Sequence, residues 1–376
     1  MGRSSIEWTE STWNPVTGCT PVSPGCANCY ARRMAQRLAA MPSVKHRKRY
    51  KGFKVSCWPE RLEEPLHWRK PRMVFPCSMG DLFHKDVPFE FIDKVFAVMA
   101  SASQHVFQVL TKRVDRMAAW FRRVAERGPV HQNLYTSGLI DFYQRHNVDL
   151  ARPHQVPTPP TPELRFIYDS ADGIDPHARI EDRPRRANKR GNYHWRRWPL
   201  SNVWLGVTAE DQERADERIP ILLDIPAAVR FVSCEPLLGE VGLGLLHYRV
   251  NADKRSDIDL VIAGGETGPG ARPSHPDHFR SLRDQCAAAG VPFFLKHLGE
   301  YAETYRFDTF QHWVNKASTH VAKGDVCLDL NSKVCRVGKD FGEARYPVVV
   351  MTRVGRKLAG RLLDGEEHNA LPGGDS

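Results

Sequence analysis

Cys19, Cys26 and Cys29 form a C-x6-C-x2-C array with Tyr30 directly after the last thiol. They lie in the run Asn14-Pro-Val-Thr-Gly-Cys-Thr-Pro-Val-Ser-Pro-Gly-Cys-Ala-Asn-Cys-Tyr30. Pro15, Gly18, Pro21, Pro24 and Gly25 stiffen and turn this segment. Three thiolates from one short loop can converge on one inorganic centre. Iron–sulfur clusters are held by Cys thiolates, usually four per cluster. Three protein ligands would leave one iron of a [4Fe-4S] cluster open to a small molecule. Two other readings stand beside this one. Zinc could take the three thiolates with His46 as fourth ligand, although no second CxxC-like knuckle is visible, and the thiols could carry no metal at all.

The elements that must position this loop follow a repeating pattern. Residues 3–18 read as a short first strand through Ile6, Trp8 and Trp13, and 26–41 as a helix with Tyr30, Met34 and Leu38 at helical spacing. A basic, irregular stretch over 42–72 leads to a buried strand from Met73 and a small-residue turn carrying Ser78, Gly80, Asp81 and His84. A helix over 88–101, a strand His105–Leu110, the turn Thr111-Lys112-Arg113 and a helix through Met117, Trp120 and Val124 follow. The rhythm resumes with a strand Asn202–Val207 and a helix over 210–223 capped by Thr208-Ala-Glu-Asp. The strand Val229–Ser233 runs into Cys234-Glu235-Pro236, and Leu260–Ala263 into Gly264-Gly-Glu-Thr-Gly-Pro-Gly270. A helix over 276–289 ends at Gly290, a suitable C′ residue. Pro292–Lys296 is the last clear strand, and the tail over 300–376 holds one β segment at Pro347–Met351.

Short apolar strand, polar turn and amphipathic helix, repeated about seven times, predict an α/β fold with a parallel sheet: a complete or partial TIM-like (β/α) barrel. Its expected extent is 1–127 with 200–299, interrupted by an insertion over 128–199 and followed by a C-terminal extension over 300–376. In such folds chemistry sits at the C-terminal ends of strands. The residues there are the three cysteines, Ser78 with Asp81, Thr111 with Lys112, Thr208 with Glu210, then Glu235, Glu266 and Lys296. Each singly is an ordinary polar residue; the set is the signal.

The chain has 376 residues, 41% of them hydrophobic, with a formal charge of +10. No apolar run approaches the roughly 20 residues that span a bilayer, so no membrane is expected. The first residues show no export-signal core, and nine cysteines, an odd number, suit a reducing cytoplasm. The basic excess favours anionic partners. The insertion holds the run Val156-Pro-Thr-Pro-Pro-Thr-Pro162, then Arg183-Pro-Arg-Arg-Ala-Asn-Lys-Arg190 with Tyr193, Trp195 and Trp198. Such interleaving could stack on and neutralise a nucleic acid, and it equally suits a partly disordered, solvated loop.

At these residues the sequence resembles the radical S-adenosylmethionine (SAM) superfamily, and more closely the phage Gp37/Gp68-type family of radical-SAM-like proteins. The segments that carry the resemblance are Trp13–Cys19, Gly25–Ala31, Asp81–His84, Gln108–Arg113, Phe231–Gly239, Gly264–Arg272 and Val354–Asp364. The superfamily's usual array is C-x3-C-x2-C, whereas the first gap here is six residues. The resemblance implies a [4Fe-4S] cluster on Cys19, Cys26 and Cys29, with SAM chelating the open iron. It also implies an electron donor and reductive cleavage of SAM to a 5′-deoxyadenosyl radical. It further implies cofactor contacts from Tyr30, Ser78, Gly80, Asp81, Thr208, Glu210, Gly264, Gly265 and Glu266. Lys112, Glu235 and Lys296 become the candidates for contact with the SAM carboxylate, the ribose or the substrate. A nucleotide or nucleic-acid base is the expected substrate class. The rival readings are a zinc-dependent nucleic-acid-binding protein and a non-catalytic barrel acting as a partner protein.

Overall fold

The computed structural model describes residues 4, 6–42, 49–126, 199–244, 258–340 and 342–373. His46 and the expected insertion, up to residue 198, lie outside the described residues. Among the described residues nine strands precede the tail: β1 (Ser11–Trp13), β2 (Val16–Thr17), β3 (Ser56–Cys57), β4 (Met73–Pro76), β5 (Val106–Thr111), β6 (Val203–Thr208), β7 (Val229–Cys234), β8 (Leu260–Gly264) and β9 (Phe293–His297). Seven of them form one parallel sheet in the order β1-β4-β5-β6-β7-β8-β9. The protein is thus mixed α/β, consistent with a partial parallel barrel. β6 and β8 are buried at every residue, as expected of parallel strands covered on both faces. No helix among the described residues is long and apolar enough to cross a membrane.

The chain divides into two compact units. The first comprises Met1–Cys19, Met34–Gly206 and Asp224–Val229. The single strand expected over 3–18 is two strands here. β1 pairs in parallel with β4, whereas β2 pairs antiparallel with β3. Pro15 separates them, and its lack of a backbone N–H breaks a continuous ladder; its carbonyl accepts from Trp58 N–H instead. The core of this unit is aromatic. Phe96 of α2 (Phe89–Ser101) stacks on Trp120 of α3 (Val114–Glu126) with ring centres 4.3 Å apart. The Trp120 indole N–H donates to Asp93, and Arg123 neutralises that carboxylate at 3.0 Å. Asp93 can be buried because its charge is paired and hydrogen-bonded.

The second unit comprises Thr20–Arg33, Val207–Leu223 and Arg230–Ser376. The helix α1 (Tyr30–Ala39) starts later than the expected residue 26, because Pro24–Cys26 form a short 3-10 turn ahead of it. The helix α4 (Gln212–Leu223) follows β6, and α5 (Pro276–Ala289) runs between β8 and β9. Gly290 closes α5 with φ 63°, the left-handed conformation that glycine adopts without a Cβ penalty. The tail is richer than the one β segment expected. It forms an antiparallel sheet β10-β13-β11-β12 from Tyr301–Phe307, Val348–Arg353, Val326–Leu328 and Val334–Cys335, with α6 (Phe310–His320) beside it. The pleat sorts β13 by alternation. Val348 and Val350 pack with Phe307, Trp313, Cys327 and Cys335, while Val349 and Met351 pack with Leu328.

Candidate functional site

In the first unit, Cys19 sits where two glycines let the backbone close up. Gly18 has φ 84°, and a Cβ there would lie 2.1 Å from the Lys54 carbonyl oxygen. Its N–H donates to Met79 O, and Gly18 bridges Gly80. A Cβ on Gly80 would lie 3.0 Å from Val16 O. The glycines here serve close approach of backbone to backbone. The Ser78 hydroxyl and the Asn14 side-chain amide are hydrogen-bonded, and the Met79 N–H donates to Asn14 Oδ1.

Asp81 follows this turn and is buried. Its Oδ1 accepts from Thr111 Oγ1 at 2.8 Å and from the Phe83 N–H at 2.9 Å. Its Oδ2 accepts from Arg113 Nη1 at 2.8 Å and from the Lys112 N–H at 3.4 Å. Arg113 Nη1 also donates to Cys19 Sγ at 3.3 Å. Burial works against the guanidinium charge, but the negative charges of Asp81 and Cys19 outweigh it and raise the Arg113 pKa. His84 is buried, with its pKa lowered by burial and by Arg113, and its Nδ1 accepts from the Asp86 N–H.

In the second unit, the segment bearing Cys26 and Cys29 is tied down by residues that lie far along the chain. Glu210 is fully buried and accepts from the Gly25 N–H at 3.1 Å, and Arg218 neutralises it at 3.0 Å. Arg218 also donates to Thr208 O, so Thr208 contributes its carbonyl. Asn28, between the two cysteines, donates to Glu266 Oε2 at 2.9 Å and to Gly270 O at 2.7 Å. Glu266 further accepts from the Arg272 backbone N–H and from both sides of its guanidinium, at 2.6–2.9 Å. Burial alone would raise the Glu266 pKa; the bonds from Arg272 and Asn28 outweigh it and hold it below the usual carboxylate range. Arg272 reaches on to Pro24 O at 3.0 Å, and Arg33 to Thr267 O at 2.7 Å. Tyr30 is exposed at the first residue of α1.

The ends of β7, β8 and β9 bring a third group together in this unit. Lys296 Nζ lies 2.5 Å from Glu235 Oε1, and His297 Nε2 lies 3.9 Å from the same oxygen. Glu235 follows β7 and Lys296 lies in β9, with β8 between. Gly264 ends β8, and a Cβ there would stand 3.3 Å from Glu235 Cγ. The missing side chain lets the pair meet across the middle strand. Gly265 lies against the Leu298 carbonyl, where a Cβ would be 2.3 Å from the oxygen.

All nine cysteines are thiols. Cys19, Cys26 and Cys29 are partly exposed, and of the other six only Cys57 is not buried. Burial pushes all six up: Cys57, Cys77 and Cys234, with Cys286 and Cys327 to about 12 and Cys335 to about 11. Among the described residues, no three His, Cys, Asp or Glu side chains are grouped so as to hold a metal ion. The sequence did not single out Asn14, Asn28, Arg113, Arg218, Arg272 or His297 as site residues. Asn28 sits within the Cys array and Arg272 closes the Gly-rich run, and those places are the signal that could have found them.

A family model described as "Protein of unknown function (DUF5131)" matches residues 3–372. The chain belongs to the DUF5131 family. Comparison with curated proteins gives no match, and neither does comparison with solved structures. The family match takes in the Cys array, the strand-end residues and the antiparallel sheet of the tail alike.

Proposed function

We propose that the protein is an iron–sulfur enzyme of the radical SAM type, on a TIM-like partial barrel, with Cys19, Cys26 and Cys29 as the ligands of one [4Fe-4S] cluster. The observation that carries this reading is the division of the thiols. The three that share one short loop are partly exposed, whereas burial suppresses thiolate formation in every other cysteine. Metal ligands must be deprotonated, and ordering of a site can come with binding; three thiols of one loop are the donor type such a cluster takes. When bound, cluster and SAM together bring one-electron reductive cleavage to a 5′-deoxyadenosyl radical.

The chain's own residues then divide the remaining work. Glu210, Asn28, Glu266 and Arg272 fix the segment that carries Cys26 and Cys29. Asp81 and Arg113 fix the surroundings of Cys19. Lys296 and Glu235, partly exposed at strand ends, are left to meet the carboxylate, ribose or substrate, with a nucleotide or nucleic-acid base as the substrate class and an electron donor as partner. The test is anaerobic reconstitution, with iron and sulfide quantified and 5′-deoxyadenosine measured after reduction with SAM present. About four irons per chain, product formation, and loss of visible absorbance in Cys26→Ala are expected. Full iron occupancy in Cys26→Ala, or zinc in place of iron and sulfide, overturns the proposal.

A further inference from the structure

The tail sheet holds two cysteines that the function proposed above does not use. β11 and β12 run antiparallel, and Cys327 and Cys335 stand directly opposite each other in their register. Residues paired in this way share one face of the sheet, with Cα atoms about 4.5–5.5 Å apart. A disulfide joins Cα atoms about 4.4–6.8 Å apart, so the register already meets its requirement on the backbone. The side chains agree. Both thiols lie in one apolar cluster with Phe307, Trp313 and Val350, whereas Leu328, the next residue on β11, packs with Val349 and Met351. Burial first, and the neighbouring Cys335 second, push the Cys327 thiol up, as two close sulfurs require. Position in the sheet adds access. β12 is two residues long and ends the order β10-β13-β11-β12, with β11 as its neighbour. Val334, beside Cys335, is exposed. A short edge strand of this kind opens locally at small cost.

We propose that Cys327 and Cys335 are a site of reversible oxidation, closing a disulfide between β11 and β12 by exchange with a small-molecule disulfide of the glutathione type. In the closed hairpin both thiols are buried and protonated, and so inert. Opening of the edge frees Cys335, which lies on the edge strand itself. Its thiolate attacks one sulfur of the small disulfide. That S–S bond breaks, one small thiol leaves, and a mixed disulfide remains on Cys335. When the hairpin recloses, the bulky adduct does not fit a buried position, while Cys327 faces it in register. The Cys327 thiolate then attacks the Cys335 sulfur, forms the protein disulfide and expels the second small thiol. The two cysteines lose two electrons and two protons in all. The small disulfide takes up both and leaves as two thiols. In the oxidised hairpin a covalent bond holds β12 to β11, so the edge no longer opens there.

The experiment exposes the full chain, reduced beforehand, to oxidised glutathione, once folded and once unfolded in urea. N-ethylmaleimide then traps the remaining thiols, and tryptic peptides are read by mass spectrometry. Trypsin cuts after Lys323, Lys333 and Arg336, so the product is peptide 324–333 joined to peptide 334–336. In the folded protein this linked pair should hold most of the oxidised Cys327, and dithiothreitol should separate it. The ratio of linked pair to glutathione adduct at Cys327 should be about tenfold higher in the folded protein than in urea, because the register raises the effective concentration of the second thiol. Cys327 and Cys335 that remain thiols throughout in the folded protein overturn the proposal. Oxidation of the two only as separate glutathione adducts overturns it as well. An equal ratio in the folded protein and in urea does the same, since closeness along the chain would then account for the link. The outcome does not depend on whether the protein takes up iron and sulfide, so it stands or falls apart from the function proposed above.

Discussion

Glu210→Ala should be among the most destabilising single changes in the protein, and for an electrostatic reason. Glu210 is fully buried, and the Arg218 side chain that neutralises it at 3.0 Å is 2% exposed. Removing Glu210 leaves the buried Arg218 only the more distant, half-exposed Glu217 at 3.8 Å to offset its charge, and breaking a buried pair costs about 3–5 kcal/mol. Losing the acceptor of the Gly25 N–H adds roughly 1 kcal/mol. The expected loss is therefore about 4 kcal/mol or more. Replacing both partners, as in Glu210→Leu with Arg218→Met, removes the stranded charge as well and should cost far less than Glu210→Ala. Urea unfolding followed by tryptophan fluorescence measures both. The Cys26 thiol should also react faster with iodoacetamide in Glu210→Ala, since Gly25 is its direct neighbour. A loss below about 1 kcal/mol for Glu210→Ala, or a double variant less stable than the single one, would refute the reasoning.

The remaining predictions concern protonation and backbone. Burial first, and His278 second, lower the His275 pKa from 6.5 to about 4. The folded state thus holds His275 neutral while the unfolded chain binds a proton below 6.5. The corresponding stability is complete above that pH and is lost as the pH falls towards 4. At about 1.4 kcal/mol per pKa unit the loss approaches about 3 kcal/mol; His275→Gln should flatten this dependence, and identical urea midpoints for wild type at pH 7.5 and pH 4.5 would contradict it. Gly18→Ala places a Cβ against the Lys54 carbonyl at φ 84°. It should cost more than the roughly 1–2 kcal/mol of the left-handed conformation alone. Gly239→Ala, where nothing lies within 4 Å, should be near neutral, and equal melting temperatures for the two variants would dismiss the close approach at Gly18.

Periodicity decided the elements of the α/β region before any contact was known. The helix over 276–289 and its stop at Gly290 appear as read, and the strands at 106–111, 203–208 and 260–264 fall within a residue or so of their apolar runs. These are local properties, set by side-chain spacing and by glycine's access to positive φ. The tail was not legible in that way. β12 has two residues and exists because β11 supplies its partners, while β10 mixes Glu303, Thr304 and Arg306 into a ladder whose partners come from β13. The strand-end carboxylates stood out in the sequence as a set, but not their use. Asp81 meets Arg113 32 residues on, Glu235 meets Lys296 61 residues on, and Glu266 meets Asn28 238 residues back. A carboxylate carries the same charge wherever it lies. Whether it faces a cofactor or an arginine depends on which distant strand end the topology brings beside it, and only the folded chain determines that.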